Sequence, residues 1–231
     1  MALPLFQPVF TAFCTMQKPR IFITLTGAVL AIAASMAGLY FGGAFRPPLP
    51  ELAAATLYPE SFRKLDDFAL TDQDGQTYNK NSLRNHWSLL FFGYSYCPDI
   101  CPTTLYLLSK LNKEINTADV KHPVQIVFVS VDPQRDTPDR LKEYVGYFSP
   151  DFTGLTGNKE QIDKLVKSLG VFYRKQPAAE GQNYLVDHSA GLFLINPSAK
   201  PQALFSAPHD VEHLAHDIRL ITDYYGDKHD A

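Results

Sequence analysis

The chain has 231 residues, with 21 Lys+Arg against 24 Asp+Glu and a formal net charge of -3. Hydrophobic residues make up 45% and charged residues 19%, which excludes a disordered, collagenous or coiled-coil chain. The near balance of charge argues against nucleic acid as a partner, and three cysteines in this length do not make a disulfide scaffold.

Residues 21–45 read IFITLTGAVLAIAASMAGLYFGGAF, with no charged side chain. About 20 apolar residues cross a bilayer, so this run is long enough for a transmembrane helix. Lys18 and Arg20 precede it. Positive charge stays on the cytoplasmic side, so the N-terminus is expected inside and the rest exported. Ala31-Ile32-Ala33 offers a signal-cleavage alternative, but the run continues past it, which favours an uncleaved anchor. Cys14 lies before the run and is not a lipoprotein cysteine. Residues 1–20 lack the Arg- and Ser-rich character of a mitochondrial transit peptide, so a bacterial inner membrane with a periplasmic domain fits best. The expected organisation is a cytoplasmic segment 1–20, the helix 21–45, a Pro-rich linker 46–60, one folded domain 61–226 and a tail 227–231.

Within the domain, Phe68 to Tyr78 reads as two short strands around an Asp72–Gly75 turn. Ser88 to Tyr94 and Val124 to Val131 are continuous apolar runs, the pattern of buried parallel strands. A helix follows each. The first carries Leu105, Leu108 and Leu111. The second carries Leu141, Tyr144, Val145 and Phe148, with Asp136 or Thr137 as its cap and Pro138 in its first turn. A short strand is expected at Phe152 to Leu155, and a helix on Ile162, Leu165, Val166 and Leu169. Gly191 to Ile195 and Gln202 to Phe205 read as paired strands. Val211, Leu214, Ile218 and Ile221 mark the last helix. This order predicts an α/β domain, a mixed central sheet with helices on both faces, of thioredoxin-like type.

Chemistry concentrates in Tyr96-Cys97-Pro98-Asp99-Ile100-Cys101-Pro102, between a buried strand and a helix. Pro102 suits the first helical turn. Cys97 and Cys101 then sit at the positive end of the helix, where thiolate is favoured. Their i, i+4 spacing brings the sulfurs to one side, for a disulfide or a soft metal ion. Two thiolates are too few for structural zinc, whereas Cu(I) accepts two thiolates and one more ligand. His188 is the candidate third ligand, because it directly precedes the strand at Gly191 in a loop facing the cysteine turn. His86 and His122 fall at the wrong end, and His229 lies in the tail. His209, His213 and His216 form a rival set along one helical face, although His209, next to Pro208, falls before the helix start. Asp132, just after the second buried strand, sits where sites in α/β folds gather, as a support for the ligands rather than a ligand.

Three motifs in order, Cys97 to Pro102, Ser130 to Thr137 and Val186 to Ser189, resemble those of the Sco/SenC family of copper-binding cytochrome c oxidase assembly factors. The resemblance covers Phe62 to Tyr225. It implies one N-terminal anchor, a thioredoxin-like domain, and copper held by Cys97, Cys101 and His188 with Asp132 behind them. It also implies delivery of copper to the dinuclear centre of oxidase subunit II, with other periplasmic copper carriers or thioredoxin-like reductases as further partners. Some relatives act instead as thiol–disulfide reductases on the target cysteines. Many members carry His before the first cysteine, where this chain has Tyr96. A peroxidase reading lacks a Thr-x-x-Cys, and a thioredoxin reading lacks Trp-Cys-Gly-Pro-Cys and any proline between Pro177 and Pro197.

Overall fold

The computed structural model describes residues 19–41, 51–62, 64–118, 120–177 and 184–226, with side chains of the first segment described only over 27–39. The chain forms two compact units, divided between Pro48 and Leu49.

The first unit contains α1, Pro19–Phe41. It begins two residues before the expected start, with Pro19 at the first helical position, where its missing N–H costs nothing. The expected end, Phe45, lies outside the described residues. Among the described residues no helix is long and apolar enough to cross a membrane.

In the second unit an eight-stranded sheet carries the fold, in the order β1-β10-β9-β4-β5-β6-β2-β3. Its centre is β4 (Trp87–Gly93) beside β5 (Val124–Ser130), paired in parallel. β6 (Thr153–Thr156) extends the parallel set. Every residue of β4 is buried, so both of its faces are covered and no polar alternation exists to read. Antiparallel strands flank this centre: β9 (Leu192–Ile195), β10 (Pro201–Phe205) and β1 (Ala55–Leu57) on one side, β2 (Ala69–Asp72) and β3 (Thr77–Asn79) on the other. The β2–β3 turn is closed by Asp72 Oδ1, which accepts from the N–H groups of Asp74 and Gln76 at 2.9 and 2.8 Å. Gly75 supplies the positive φ, +78°, that the turn needs.

The helices are α2 (Ile100–Ile115), α3 (Pro138–Phe148), α4 (Lys159–Leu169) and α5 (Val211–Gly226). In α2 the buried face is Cys101, Thr104, Leu105, Leu108, Leu111 and Ile115, so the first cysteine-bearing turn belongs to the same stripe that packs the core. Thr137 caps α3, its Oγ1 accepting from Arg140 N–H at 3.2 Å. Asp136, the other candidate cap, is instead fully buried and bonded to Ser95 and Ser130.

Two features depart from the sequence reading. Ala55–Leu57, placed in the spacer, form the edge strand β1. The carboxylate of Asp217 in α5 fixes its approach, accepting from the N–H groups of Ala53, Ala54 and Ala55 at 2.7–2.9 Å. The segment before β9 is also not a plain loop. β7 (Tyr173–Lys175) and β8 (Val186–His188) form a separate antiparallel pair. His188 is therefore the last residue of a strand. The Ser189 N–H donates to Phe172 O at 2.9 Å and carries the pairing one residue further.

Candidate metal centre

β4 ends at Gly93, and the chain turns through Tyr94–Asp99 before α2 starts at Ile100. Cys97 N–H donates to Tyr94 O at 3.2 Å and tightens that turn. Asp99, at the N-cap, makes no side-chain capping bond, so the helix start keeps free N–H groups for an anion. Cys101 lies inside the first turn and is fully buried, whereas Cys97 is half-buried. Both are free thiols. Gly93 makes room for Cys101: a Cβ there would lie 2.7 Å from its Sγ and 2.9 Å from the Phe128 ring.

His188 reaches the pair from β8. Its Nε2 lies 3.2 Å from Cys101 Sγ. Its Nδ1 lies 3.1 Å from Ser189 O, which can only accept, so Nδ1 carries the proton. In the neutral ring Nε2 is then bare and faces the thiols, the tautomer a metal ligand needs. The rings of Tyr94 and Phe91 stand edge-on to the imidazole, with centroids 5.9 and 6.2 Å away, and fix its plane. The ligand atoms of Cys97, Cys101 and His188 all lie within 4.8 Å of one another.

The two thiols are unequal. The S–H of Cys101, donated to Cys97, is the main force that lowers the Cys97 pKa to about 3. Burial opposes this, while His188 and the N–H groups of Asp99 and Cys101 reinforce it. Cys101 is pushed far up by its own burial and then by the neighbouring Cys97 thiolate. The pair thus holds one negative charge and one proton. The imidazole Nε2 stands against the same pair, 3.2 Å from Cys101 Sγ. A soft cation that displaces those protons meets two sulfurs and one nitrogen, the donor set that suits Cu(I). The same sulfurs are placed for disulfide exchange, with Cys97 as the thiolate.

Asp132, 4% exposed, is hydrogen-bonded to none of the three groups. It is ion-paired with Arg135 Nε, and its Oδ1 accepts from Tyr184 O–H at 2.7 Å. Below Cys97, Asp136 accepts from Ser95 N–H at 3.0 Å, Ser95 O–H at 2.6 Å and Ser130 O–H at 2.5 Å. Arg140 Nε adds a bond to Ser95 Oγ at 3.1 Å. Sequence reasoning missed this network. Its signal was a hydroxyl at Ser130 and carboxylates at Asp132 and Asp136 directly after an apolar strand, where a surface loop has no need of them. Tyr96, directly before Cys97, packs its ring against Arg135 and Arg140.

The other histidines do not converge. His209 Nε2 donates to Ala190 O at 2.7 Å, His213 faces Asp210, and His216 Nδ1 lies 3.0 Å from Asp217 Oδ1. His86 bonds Gln125, and His122 packs against Gly226. Among the described residues Cys97, Cys101 and His188 are the one group of three able to hold a metal ion. Cys14 and His229 lie outside the described residues.

The SCO1/SenC family profile matches residues 58–223, across all three motifs. The chain belongs to the SCO1/SenC family. A SCO2-like protein of Rickettsia conorii is 38% identical over 176 residues, covering 74% of this chain and 84% of its own length. Arabidopsis thaliana ScoI, crystallised with copper bound, aligns with a TM-score of 0.66 at 34% identity over 71% of this chain and 100% of its own. Yeast Sco1 with copper bound aligns with a TM-score of 0.63 at 31% identity, over 68% of this chain and 86% of its own. The family's thioredoxin-like fold is the mixed sheet described above.

The unequal thiols predict a selective reaction. In reduced, chelator-treated protein at pH 5, iodoacetamide should modify Cys97 and spare Cys101. In Cys101→Ala the pH midpoint for Cys97 should rise towards the ordinary thiol value of about 8.5. Equal reaction of both thiols with that ordinary midpoint in the unaltered protein would refute the shared-proton arrangement.

Proposed function

We propose that this protein is a copper-binding assembly factor that delivers copper to the dinuclear copper centre of cytochrome c oxidase subunit II. The observation that carries the reading is the convergence of two thiols and a bare imidazole nitrogen within 4.8 Å. Membership of a family whose crystallised relatives hold copper supports it. Cys97, Cys101 and His188 are the ligands, and Asp132 acts behind them. A thiolate at Cys97 and a half-exposed approach suit hand-over of the ion by ligand exchange, to the oxidase subunit or from other periplasmic copper carriers.

A second reading has its own support. The acidic Cys97 beside the buried Cys101 has the asymmetry of a dithiol reductase, which would reduce the cysteines of the target site. His188 separates the two. A dithiol exchange does not require an imidazole, whereas a copper site loses a ligand without it.

The reduced full-length protein, titrated anaerobically, should bind one Cu(I), and Cys97→Ser or Cys101→Ser should abolish tight binding. His188→Ala should weaken copper retention about 100-fold or more, beyond the ~10–100-fold typical for loss of a supporting group. It should lower the Cys97–Cys101 reduction potential only slightly, because Cys101 is the main force on the Cys97 thiolate and His188 a lesser one. If His188→Ala holds copper like wild type and still assembles oxidase at low copper, the reductase reading replaces delivery.

The apolar, uncharged run 21–45 after Lys18 and Arg20 supports a single inner-membrane anchor with the domain in the periplasm. A reporter fused just after Arg46 should be active only in an export-dependent form. Activity confined to a cytoplasmic reporter would refute that topology.

A further inference from the structure

We infer that Arg135 is the positioning residue that holds the His188 strand over the two cysteines, an inference that rests on the copper-site reading. His188 belongs to β8, which pairs with β7 and not with the main sheet. Something outside that hairpin must therefore fix the imidazole against α2. Contacts from the domain reach the start of β8 from two places, the Asp132–Arg135 turn and Tyr94. Arg135 Nη1 donates to Tyr184 O at 3.1 Å. The guanidinium stacks on the Tyr184 ring, 3.6 Å from its centroid. Tyr184 O–H returns to Asp132, which is itself ion-paired with Arg135 Nε. Two residues on, Val186 N–H donates to Tyr94 O–H at 3.2 Å, and two more reach His188.

The same guanidinium faces the cysteine side. It lies 4.9 Å from the Tyr96 ring, one residue before Cys97, and 5.4 Å from the Tyr94 ring. One side chain thus touches both stretches of chain that bring ligands to the site. Its side chain is only 14% exposed, and its Nη2 is buried with no hydrogen-bond partner among the described residues. The flat faces of three tyrosines, rather than a full set of acceptors, hold that end of the group. Lysine reproduces only part of this. It keeps a charge for Asp132, but it has no planar fork to grip a carbonyl while pairing a carboxylate, and no flat face to stack. Asp132 then acts on copper through Arg135 and Tyr184, not by touching a ligand.

The test compares full-length wild type, Arg135→Lys, His188→Ala and the double variant. In Arg135→Lys copper affinity should fall about 10–100-fold, and the nitrogen signature in the Cu(II) electron paramagnetic resonance spectrum should weaken. The Cys97–Cys101 reduction potential should stay at the wild-type value. In the His188→Ala background the Arg135→Lys change should cost nothing further, because it acts through the imidazole. Without metal, amide exchange at residues 184–188 should quicken in Arg135→Lys while α2 keeps its protection. Tyr184→Phe, which removes the hydroxyl's bonds to Asp132 and Gln134 but keeps the stacked ring, should give a smaller change in the same direction and serves if Arg135→Lys misfolds. Equal losses in both backgrounds, unchanged exchange at 184–188, or wild-type copper affinity would each overturn the role. If wild type binds no copper, the metal reading falls, and the exchange result alone decides whether Arg135 positions the strand.

Discussion

A fully buried sulfur cannot carry a negative charge without a counter-charge or a donor beside it. Cys101 is such a sulfur, fully buried and packed so closely on Gly93 that a Cβ there would lie 2.7 Å from it. It keeps its proton and lends it to Cys97, which takes the charge at the half-open mouth of the site. The bare nitrogen of His188 lies against the same sulfur. Each group is therefore left with a bond that a single soft cation completes better than a proton does. The fit of the proposed site to copper rests on that burial as well as on the cysteines' spacing.

The scaffold holds this arrangement at the carboxyl ends of two parallel strands. β4 and β5 end side by side at Gly93 and Ser130, and the residues beyond each become the floor of the site. Asp136 ties them together by accepting from Ser95 on one and Ser130 on the other. Because this carboxylate is fully buried and receives three short bonds, the turn that carries Cys97 is anchored before any metal arrives. The third donor of the proposed site, His188, comes from outside the sheet, on the β7–β8 pair. Its placement depends on tertiary contacts instead of ladder hydrogen bonds. The two thiols are thus rigidly placed, while the imidazole rides on a smaller, separately held element. That division suits the proposed delivery, in which an ion is first retained and then released.

How much was legible in the sequence follows the same division. β4, β5 and α2 to α5 were readable because their burial is written as apolar runs or as 3.6-residue periodicity. Cys97 and Cys101 were readable because their chemistry is local, within one turn. His188 was read as facing the cysteine turn, from its place before β9, and lies beside the cysteines, but it was read in a loop, since Tyr173-Arg174-Lys175 carries no strand pattern and its exposed charges read as surface. β1 was hidden inside the spacer because three residues give no period, and its anchor, Asp217, lies more than 160 residues away. Arg135 and Tyr184 were invisible for a related reason. An arginine in Asp132-Pro133-Gln134-Arg135 reads as a solvated charge until the fold brings a tyrosine 49 residues away onto its face.

The account stands on one donor set. X-ray absorption at the copper edge of the reduced, Cu(I)-loaded full-length protein reads that set directly. Two sulfur neighbours and one nitrogen neighbour per copper, with the nitrogen lost in His188→Ala, is the predicted result. A shell of sulfur alone, or one of nitrogen and oxygen that survives the loss of both cysteines, would contradict it.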